Sequence, residues 1–230
     1  MSLHREPPLT PRGVLLRHPA IIGTVAVLSV CFGVLAALDG SSTLLHVDEP
    51  IQRWVVAHRS AGWTHAARVF SRLGSTVVVF GVFAVVVAWT SRRCATLALT
   101  LSAAVLSRPP IEFLLKELID RDRPDLLRLV DGTGPSHPSG HVLAAVALWG
   151  LLPPLVSMFV RSRAIWWLSV AAAGVLIAGI AASRVYLGVH WFTDIVQGTL
   201  LGSLYLAGIE LLFAHHHRHR RCTLDHLHAT

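Results

Sequence analysis

The sequence predicts an all-α integral membrane protein built as a bundle of six transmembrane helices. Hydrophobic residues make up 53% of the 230 residues and charged residues only 14%, and the mean hydropathy is +0.58. In a soluble domain about a quarter of the residues are charged. The deficit indicates that lipid is the solvent for much of the surface, and the order of apolar and basic segments supports the same prediction.

Six apolar runs define the predicted spans. They cover residues 20–38, 74–90, 94–115, 140–160, 164–182 and 190–213. Each must cross a hydrocarbon core about 30 Å thick, which takes about 20 residues of helix. The first run also resembles a signal peptide, because basic residues precede it and Val34-Leu35-Ala36 is similar to a cleavage site. Signal peptides have apolar cores of only about 7–15 residues, so we favour a retained span.

Short basic segments predict the orientation. They occur in residues 1–19, after the second and fourth spans, and in the His-rich tail 214–230. An even number of spans separates them, so the positive-inside rule places all four in the cytoplasm, on either side of a membrane domain at 20–213. We interpret the tail as a cationic anchor near anionic lipid rather than a metal site. Topology thus accounts for the net charge of +7, which does not indicate a nucleic-acid partner.

The segment between the first two spans, residues 39–73, is mixed in character and leaves two interpretations open. Trp54 and Trp63 favour short amphipathic helices that lie at the membrane interface. The alternative is a solvated loop packed on the outer face of the bundle.

Charged residues inside the third run also leave two interpretations open. Arg108, Glu112 and Lys116 are spaced by four residues, so on a helix they share one face. Because charges at membrane depth usually pair with each other, we hypothesise that Glu112 pairs with Arg108 or Lys116. In the alternative, Pro109-Pro110 breaks the helix and leaves these residues near its wet end.

Two polar stretches at span ends carry residues that suit a phosphate. Lys116 and Arg123 are seven residues apart, or two helical turns, so their side chains can point the same way. The second stretch begins the fourth span. Ser139 suits the N-cap position, and the backbone N–H of Gly140 can approach an oxyanion closely. His141, in the first turn, can donate a proton to a leaving oxygen.

A third polar stretch lies between the last two spans. His190 and Asp194 are four residues apart, so on a helix their side chains can meet. Asp194 can then hold the imidazole in one tautomer and free the other nitrogen for attack. Arg184 suits an anionic substrate because its guanidinium binds phosphate through two donors. Taken alone, the stretch equally fits a snorkelling arginine and a helix-end histidine.

Together, the three stretches resemble the signature motifs of the type 2 phosphatidic acid phosphatase superfamily. The motifs are Lys-x6-Arg-Pro, Pro-Ser-Gly-His and Ser-Arg-x5-His-x3-Asp, and they occur in that order. The matching positions are Lys116, Arg123, Pro124, Pro138, Ser139, Gly140, His141, Ser183, Arg184, His190 and Asp194. Three motifs in order make chance a poor explanation, although the first 70 residues and the tail carry none.

The resemblance implies the six-helix fold of that superfamily and a metal-independent phosphatase with no cofactor. It assigns catalysis to His190 (nucleophile), Asp194 (its orienting partner) and His141 (general acid, then base), and phosphate binding to Lys116, Arg123, Ser139, Gly140 and Arg184. The two histidines must differ in protonation at attack, so a bell-shaped pH dependence is expected.

The substrate implied is a lipid phosphate or diphosphate, hydrolysed at the extracytoplasmic face of a multi-pass cell-membrane protein. Candidates are a polyprenyl diphosphate, phosphatidic acid, phosphatidylglycerol phosphate and a prenyl-linked sugar phosphate. Two alternatives stay open: a vanadate-dependent haloperoxidase, a class within the same superfamily, and a non-enzymatic membrane protein that binds or transports anions. No residue selects the lipid, and oligomeric state is not readable. Besides the substrate, membrane lipids are the expected partners.

Overall fold

The regular structure of the described part of the chain is entirely α-helical. The computed structural model describes residues 19–39, 41–157, 160 and 162–217. Its helices are α1 (Pro19–Ala37), α2 (Ser42–Ala57), α3 (Ala61–Leu73), α4 (Thr76–Ser91), α5 (Ala95–Ile119), α6 (Gly140–Trp149), α7 (Leu152–Ser157), α8 (Arg163–Tyr186) and α9 (Phe192–His217). The N-terminal arginines, Arg161 and the tail after residue 217 lie outside these residues.

The helices include the predicted membrane spans. Helix α5, the α6–α7 segment, α8 and α9 are each long and apolar enough to cross a membrane. The pairs α1–α2 and α3–α4 meet the same criterion together, but each is bent by more than 40°, so the described residues contain four to six candidate spans. An all-α, multi-pass membrane protein is therefore confirmed, with six as an approximate number of spans.

Helix α5 continues without interruption through Pro109 and Pro110. The alternative in which these prolines break the helix is wrong, and the three charged residues lie on one face. Glu112 Oε2 is 2.6 Å from Arg108 Nη1, and Glu112 Oε1 is 3.1 Å from Lys116 Nζ. The hypothesis that Glu112 pairs with one of them is confirmed, since it pairs with both.

The fourth predicted run, 140–160, forms two helices instead of one. Helix α6 ends at Trp149 and α7 begins at Leu152. Pro153 and Pro154 lack the N–H groups that a continuous helix would direct to the carbonyls of residues 149 and 150, but proline is well tolerated in a first turn. The sequence of this run therefore favours a new helix start over a continuation.

Helix α9 packs closely on α6. A β-carbon added at Gly202 would lie 2.7 Å from Val146 Cβ, and one added at Gly198 would lie 3.1 Å from the Ser139 carbonyl oxygen. The Gly-x3-Gly spacing thus brings two helices of the same chain together. Their close approach sets the N-terminal ends of α6 and α9 side by side.

The segment 39–73 forms two helices, α2 and α3, so the interpretation as a solvated loop is wrong. That these helices lie at the membrane interface stays a prediction. Helix α2 buries Asp48 and Gln52 and packs on α8 and α9, whereas Trp54 and Trp63 are 63% and 69% exposed. Between the two helices, Arg59 donates to the Tyr186 carbonyl at 3.0 and 2.7 Å. This contact fastens α2 and α3 to the end of α8.

Candidate active site

A cavity of about 270 Å³ opens where α5 and α8 end and where α6 and α9 begin. Residues from all three predicted polar stretches line it: Lys116, Arg123, Gly140, His141, Arg184 and His190. Arg108, Glu112, Thr76 and residues 131–133 complete much of the wall. The lining is strongly cationic and carries two imidazoles, so the cavity suits an anion.

His190 and Asp194 meet, although they do not share a helix. His190 lies in the connection before α9, two residues ahead of Phe192, and Asp194 lies in the first turn of α9. His190 Nδ1 is 3.4 Å from Asp194 Oδ2, and both side chains are almost fully buried. Asp194 Oδ2 also accepts a hydrogen bond of 2.9 Å from the Trp191 backbone N–H. The predicted contact is thus present, but a turn creates it rather than helical spacing.

The surroundings of His190 indicate which of its nitrogens can react. Nδ1 faces the Asp194 carboxylate, whereas Nε2 lies 3.3 Å from Arg123 Nη1, which can only donate. We therefore assign the proton to Nδ1 and a lone pair to Nε2. Burial lowers the pKa of His190 to about 4, although Asp194 opposes this effect. The imidazole is consequently neutral at physiological pH.

Arg123 reaches the cavity from a loop. Helix α5 ends at Ile119 with Asp120 in a left-handed conformation (φ 44°), so the prediction that Lys116 and Arg123 lie two turns apart on one helix is wrong. Arg123 donates to the carbonyls of Gly134 and Val189 at 2.9 and 2.6 Å. Further bonds go to the carbonyls of Thr133 and Pro135. Arg123 therefore orders the loop as well as facing the site.

Helix α6 presents its N-terminus to the cavity, with Gly140 and His141 in its first turn. Ser139 occupies the N-cap position, but its side chain makes no capping hydrogen bond. Its buried hydroxyl has no protein partner among the described residues, and Ser139 packs towards α9, beside Gly198. Ser139 is therefore the one predicted phosphate ligand that does not line the cavity.

Arg184 lies in the last turn of α8 and is buried except for 6% of its surface. Its Nη1 donates to Ser71 Oγ at 2.5 Å, whereas its Nε has no partner among the described residues. Arg184 also lines the cavity, together with His190, so its guanidinium adds a positive charge to the same wall lining as the imidazole.

Comparison with known proteins identifies the family. A model of the PAP2 superfamily matches residues 93–218, which is more than half of the chain. This chain belongs to the PAP2 superfamily. The resemblance read from the three motifs is thereby confirmed, and the matched region contains all of them.

Individual relatives of this PAP2 protein are lipid phosphatases by name. Phosphatidylglycerophosphatase B of Bacillus subtilis (strain 168) is 38% identical over 96 residues, which are 40% of this chain and 45% of that protein. Lipid phosphate phosphatase delta of Arabidopsis thaliana is 44% identical over 71 residues, which are 30% of this chain and 17% of that protein. The chain thus spans less than half the length of the curated relatives it matches.

Solved structures share the fold of this PAP2 protein. The crystal structure of the transmembrane PAP2-type phosphatidylglycerolphosphate phosphatase from Bacillus subtilis superposes with a TM-score of 0.76 at 25% identity. The superposition covers 81% of this chain and 94% of that one. Aquifex aeolicus LpxE gives a TM-score of 0.55 at 21% identity over 72% of this chain and 94% of that one, which shows a shared fold.

Sequence reasoning missed the contacts behind the Asp194 carboxylate of this PAP2 protein. Arg121, 5% exposed, donates to Asp194 Oδ1 at 2.7 Å, and Asp48 of α2 in turn accepts from Arg121. In the sequence, Arg121 is one member of a charged run, and Asp48 lies in a segment without motifs. The position of Asp48 in a predicted amphipathic helix was the one available signal of a buried carboxylate, and it did not indicate that Arg121 is its partner.

Proposed function

We propose that this PAP2 protein is a metal-independent phosphatase that hydrolyses a lipid phosphate or diphosphate through a phosphohistidine intermediate. The observation that carries the proposal is the His190 imidazole, with Nδ1 facing Asp194, in a cavity lined also by Lys116, Arg123 and Arg184. The names of the relatives, a phosphatidylglycerophosphatase and a lipid phosphate phosphatase, support the substrate class.

In the first half-reaction, His190 Nε2 attacks phosphorus and the bond to the leaving oxygen breaks. His141 gives its proton to that oxygen, and Asp194 stabilises the charge that develops on the imidazole. In the second half-reaction, His141 takes a proton from water, and the water oxygen attacks phosphorus. The P–N bond breaks, phosphate leaves, and Nε2 regains its lone pair.

The cationic side chains hold the phosphoryl oxygens during both steps. Lys116 on α5 and Arg184 on α8 supply positive charge to the cavity, and the Gly140 backbone N–H adds the positive end of α6. Phosphoryl transfer needs mainly positioning and charge stabilisation, and these groups supply both without a metal. Arg123 contributes a further donor near Nε2. Ser139 is given no role in holding the phosphoryl group, because its side chain makes no capping hydrogen bond and does not line the cavity.

The distribution of charge supports an extracytoplasmic site in the cell membrane. Arg92 and Arg93 precede α5, whereas Lys116 and the cavity lie near its other end. The 25 residues of α5 separate these ends by about 37 Å, which is enough to cross the hydrocarbon core. If the basic end is cytoplasmic, the cavity faces outward. A lipid with a phosphate head at that boundary is the substrate class that fits.

Phosphate release by the purified protein tests the proposal. The panel contains phosphatidic acid, phosphatidylglycerol phosphate, a polyprenyl diphosphate and a water-soluble phosphomonoester, each with and without a chelator. We expect release from at least one lipid, unchanged by the chelator and weaker from the soluble ester. Loss of activity with the chelator contradicts the metal-independent mechanism. Bromide oxidation with added vanadate, but no phosphate release, would support the haloperoxidase alternative instead.

Glu112 gives a second prediction. Its carboxylate lies against Gly140, so close that a β-carbon there would be 2.0 Å from Oε1. Because this carboxylate already bridges Arg108 and Lys116, it competes with an incoming anion. Glu112→Gln is expected to tighten orthovanadate binding about tenfold, or about 1.4 kcal/mol.

Competitive inhibition of phosphate release by orthovanadate measures this effect. Glu117→Gln, which removes an exposed carboxylate from the same helix, is the matched control and is expected to leave the inhibition constant unchanged. An unaltered inhibition constant and pH profile in Glu112→Gln would mean that the pairing has no role in anion binding.

A further inference from the structure

Arg121 lies behind the proposed nucleophile and joins three carboxylates. Its Nη1 is 2.7 Å from Asp194 Oδ1 and 3.2 Å from Asp39 Oδ1, and its Nη2 is 2.7 Å from Asp48 Oδ2. All four side chains are at most 4% exposed. Nη1 also donates to Thr193 Oγ1 at 2.7 Å. The guanidinium is therefore held by partners from the end of α1, from α2 and from the start of α9.

The two oxygens of Asp194 have separate partners. Oδ1 accepts from Arg121, and Oδ2 accepts from the Trp191 backbone N–H and faces His190 Nδ1. Rotation of the carboxylate would break the bond to Arg121. The guanidinium thus fixes the plane in which Oδ2 meets the imidazole.

Asp48 holds Arg121 from the opposite side. It belongs to α2 and is fully buried, and its Oδ1 accepts from the Thr193 backbone N–H at 2.9 Å. Asp48 therefore satisfies a free N–H in the first turn of α9 while it binds the guanidinium. One residue of α2 therefore binds both the start of α9 and Arg121.

The charges favour a guanidinium over a metal ion at this position. Ligand atoms of Asp39, His137 and Asp194 lie within 4.8 Å of one another, which is a spacing that suits a metal. Arg121 already contacts the carboxylates of Asp39 and Asp194 and supplies the cation between them. Burial lowers the pKa of Arg121, but Asp194, Asp48 and Asp39 outweigh that effect and raise it, so the side chain stays charged.

We propose that Arg121 is a positioning residue, held by Asp48, that fixes Asp194 against His190. This inference rests on the proposed function. The charged and titratable groups around the His190 imidazole are Asp194 on α9, Arg123 in the loop, Arg184 on α8 and His141 on α6. Arg121 acts on the imidazole through Asp194, because its guanidinium partly neutralises the negative charge of that carboxylate.

Loss of the Arg121 charge should therefore be visible in the pH profile. Without the guanidinium, Asp194 attracts the proton of His190 more strongly, and the pKa of His190 rises. Because imidazolium has no lone pair, the acid limb of kcat/KM moves to higher pH. A variant that was merely less stable would have a lower kcat/KM at every pH, but the acid limb would stay at the same pH.

The experiment compares Arg121→Gln, Arg121→Lys and Asp48→Asn with the wild type and with Arg53→Gln, an exposed control on α2. Arg121→Gln is expected to lower kcat about 10²-fold, with little change in KM and with the acid limb raised. Arg121→Lys keeps the positive charge but cannot contact Asp194 and Asp48 at once. Compared with Arg121→Gln, it should therefore return the acid limb of kcat/KM close to its wild-type pH, while kcat recovers less. Asp48→Asn should reproduce part of the loss in kcat, and Arg53→Gln none of it.

Two outcomes overturn the inference. One is an unchanged kcat in Arg121→Gln; the other is a loss that matches the fraction of unfolded protein and leaves the limb in place. If Arg121→Gln does not fold, Arg121→Lys and Asp48→Asn provide the same comparison. Wild-type protein that releases no phosphate instead counts against the proposed function. In that case the pKa of the His190 imidazole can be measured without turnover. The rate at which diethyl pyrocarbonate modifies His190 is followed by peptide mass spectrometry as a function of pH. A pKa of His190 that is the same in Arg121→Gln as in the wild type overturns the inference.

Discussion

Replacing His190 by alanine is expected to abolish phosphate release, by about 10⁶-fold if the side chain is the nucleophile. His190 lines the cavity and is 2% exposed; its Nδ1 faces Asp194, and its Nε2 lies 3.3 Å from Arg123 Nη1. No other described imidazole in the cavity has a carboxylate partner of this kind. Single-turnover assays with a lipid phosphate measure the loss, because they separate the chemical step from product release.

The control for this variant is His46→Ala, which removes an exposed histidine from α2. It should retain wild-type rates. Near-normal phosphate release by His190→Ala would rule out the assignment of His190 as nucleophile. Uptake of a phosphate compound into vesicles that survives the same substitution would favour the transport alternative, since transport needs the cationic cavity but not the nucleophile.

Replacing Arg184 by alanine is expected to lower kcat by about 10²–10³-fold, or about 2.7–4 kcal/mol of transition-state stabilisation. The side chain is buried beside the cavity, and one of its Nη donors is already engaged by Ser71. The guanidinium has further N–H donors that a phosphoryl group can accept from. The alanine variant lacks these donors and their positive charge, so it stabilises less of the negative charge on the phosphoryl oxygens in the transition state.

Arg184→Lys separates charge from geometry, since lysine supplies one positive group but not the planar fork. We expect it to recover only part of the activity. Orthovanadate inhibition should weaken in the same order as kcat, because both depend on the bound anion. The control is Arg68→Ala, which removes an exposed arginine from the helix that carries Ser71. Equal losses in Arg68→Ala and Arg184→Ala would contradict a direct role for Arg184.

The spans were predictable because length and apolarity are local properties of the sequence. Helices α1, α4 and α8 begin and end within a few residues of the predicted runs. Average hydropathy does not show whether a proline within an apolar run continues or interrupts the helix. It therefore left open whether α5 continues through Pro109-Pro110, and it missed the division of 140–160 into α6 and α7.

The candidate site was predictable only in part. Motif spacing named Lys116, His141, Arg184 and His190, all of which line the cavity. It gave the wrong local conformation for Arg123, because the left-handed residue that ends α5 is not visible in periodicity.

The contacts of Asp48 were beyond the reach of the sequence. Asp48 is separated from Arg121 by 73 positions and from Thr193 by 145, and no local pattern links residues at such distances. Those contacts depend on how α2 packs on α9, which is decided by tertiary structure.

The position of the Glu112 carboxylate changes how binding at this site should be described. Between Arg108, Lys116 and the end of α6, the resting protein already contains an anion of its own. A phosphate that enters therefore takes part in ion exchange, and its affinity is the difference between two anions rather than the full attraction of the cations. On the proposed mechanism, the same exchange is expected to favour release of inorganic phosphate, because the carboxylate can again occupy the position between Arg108 and Lys116.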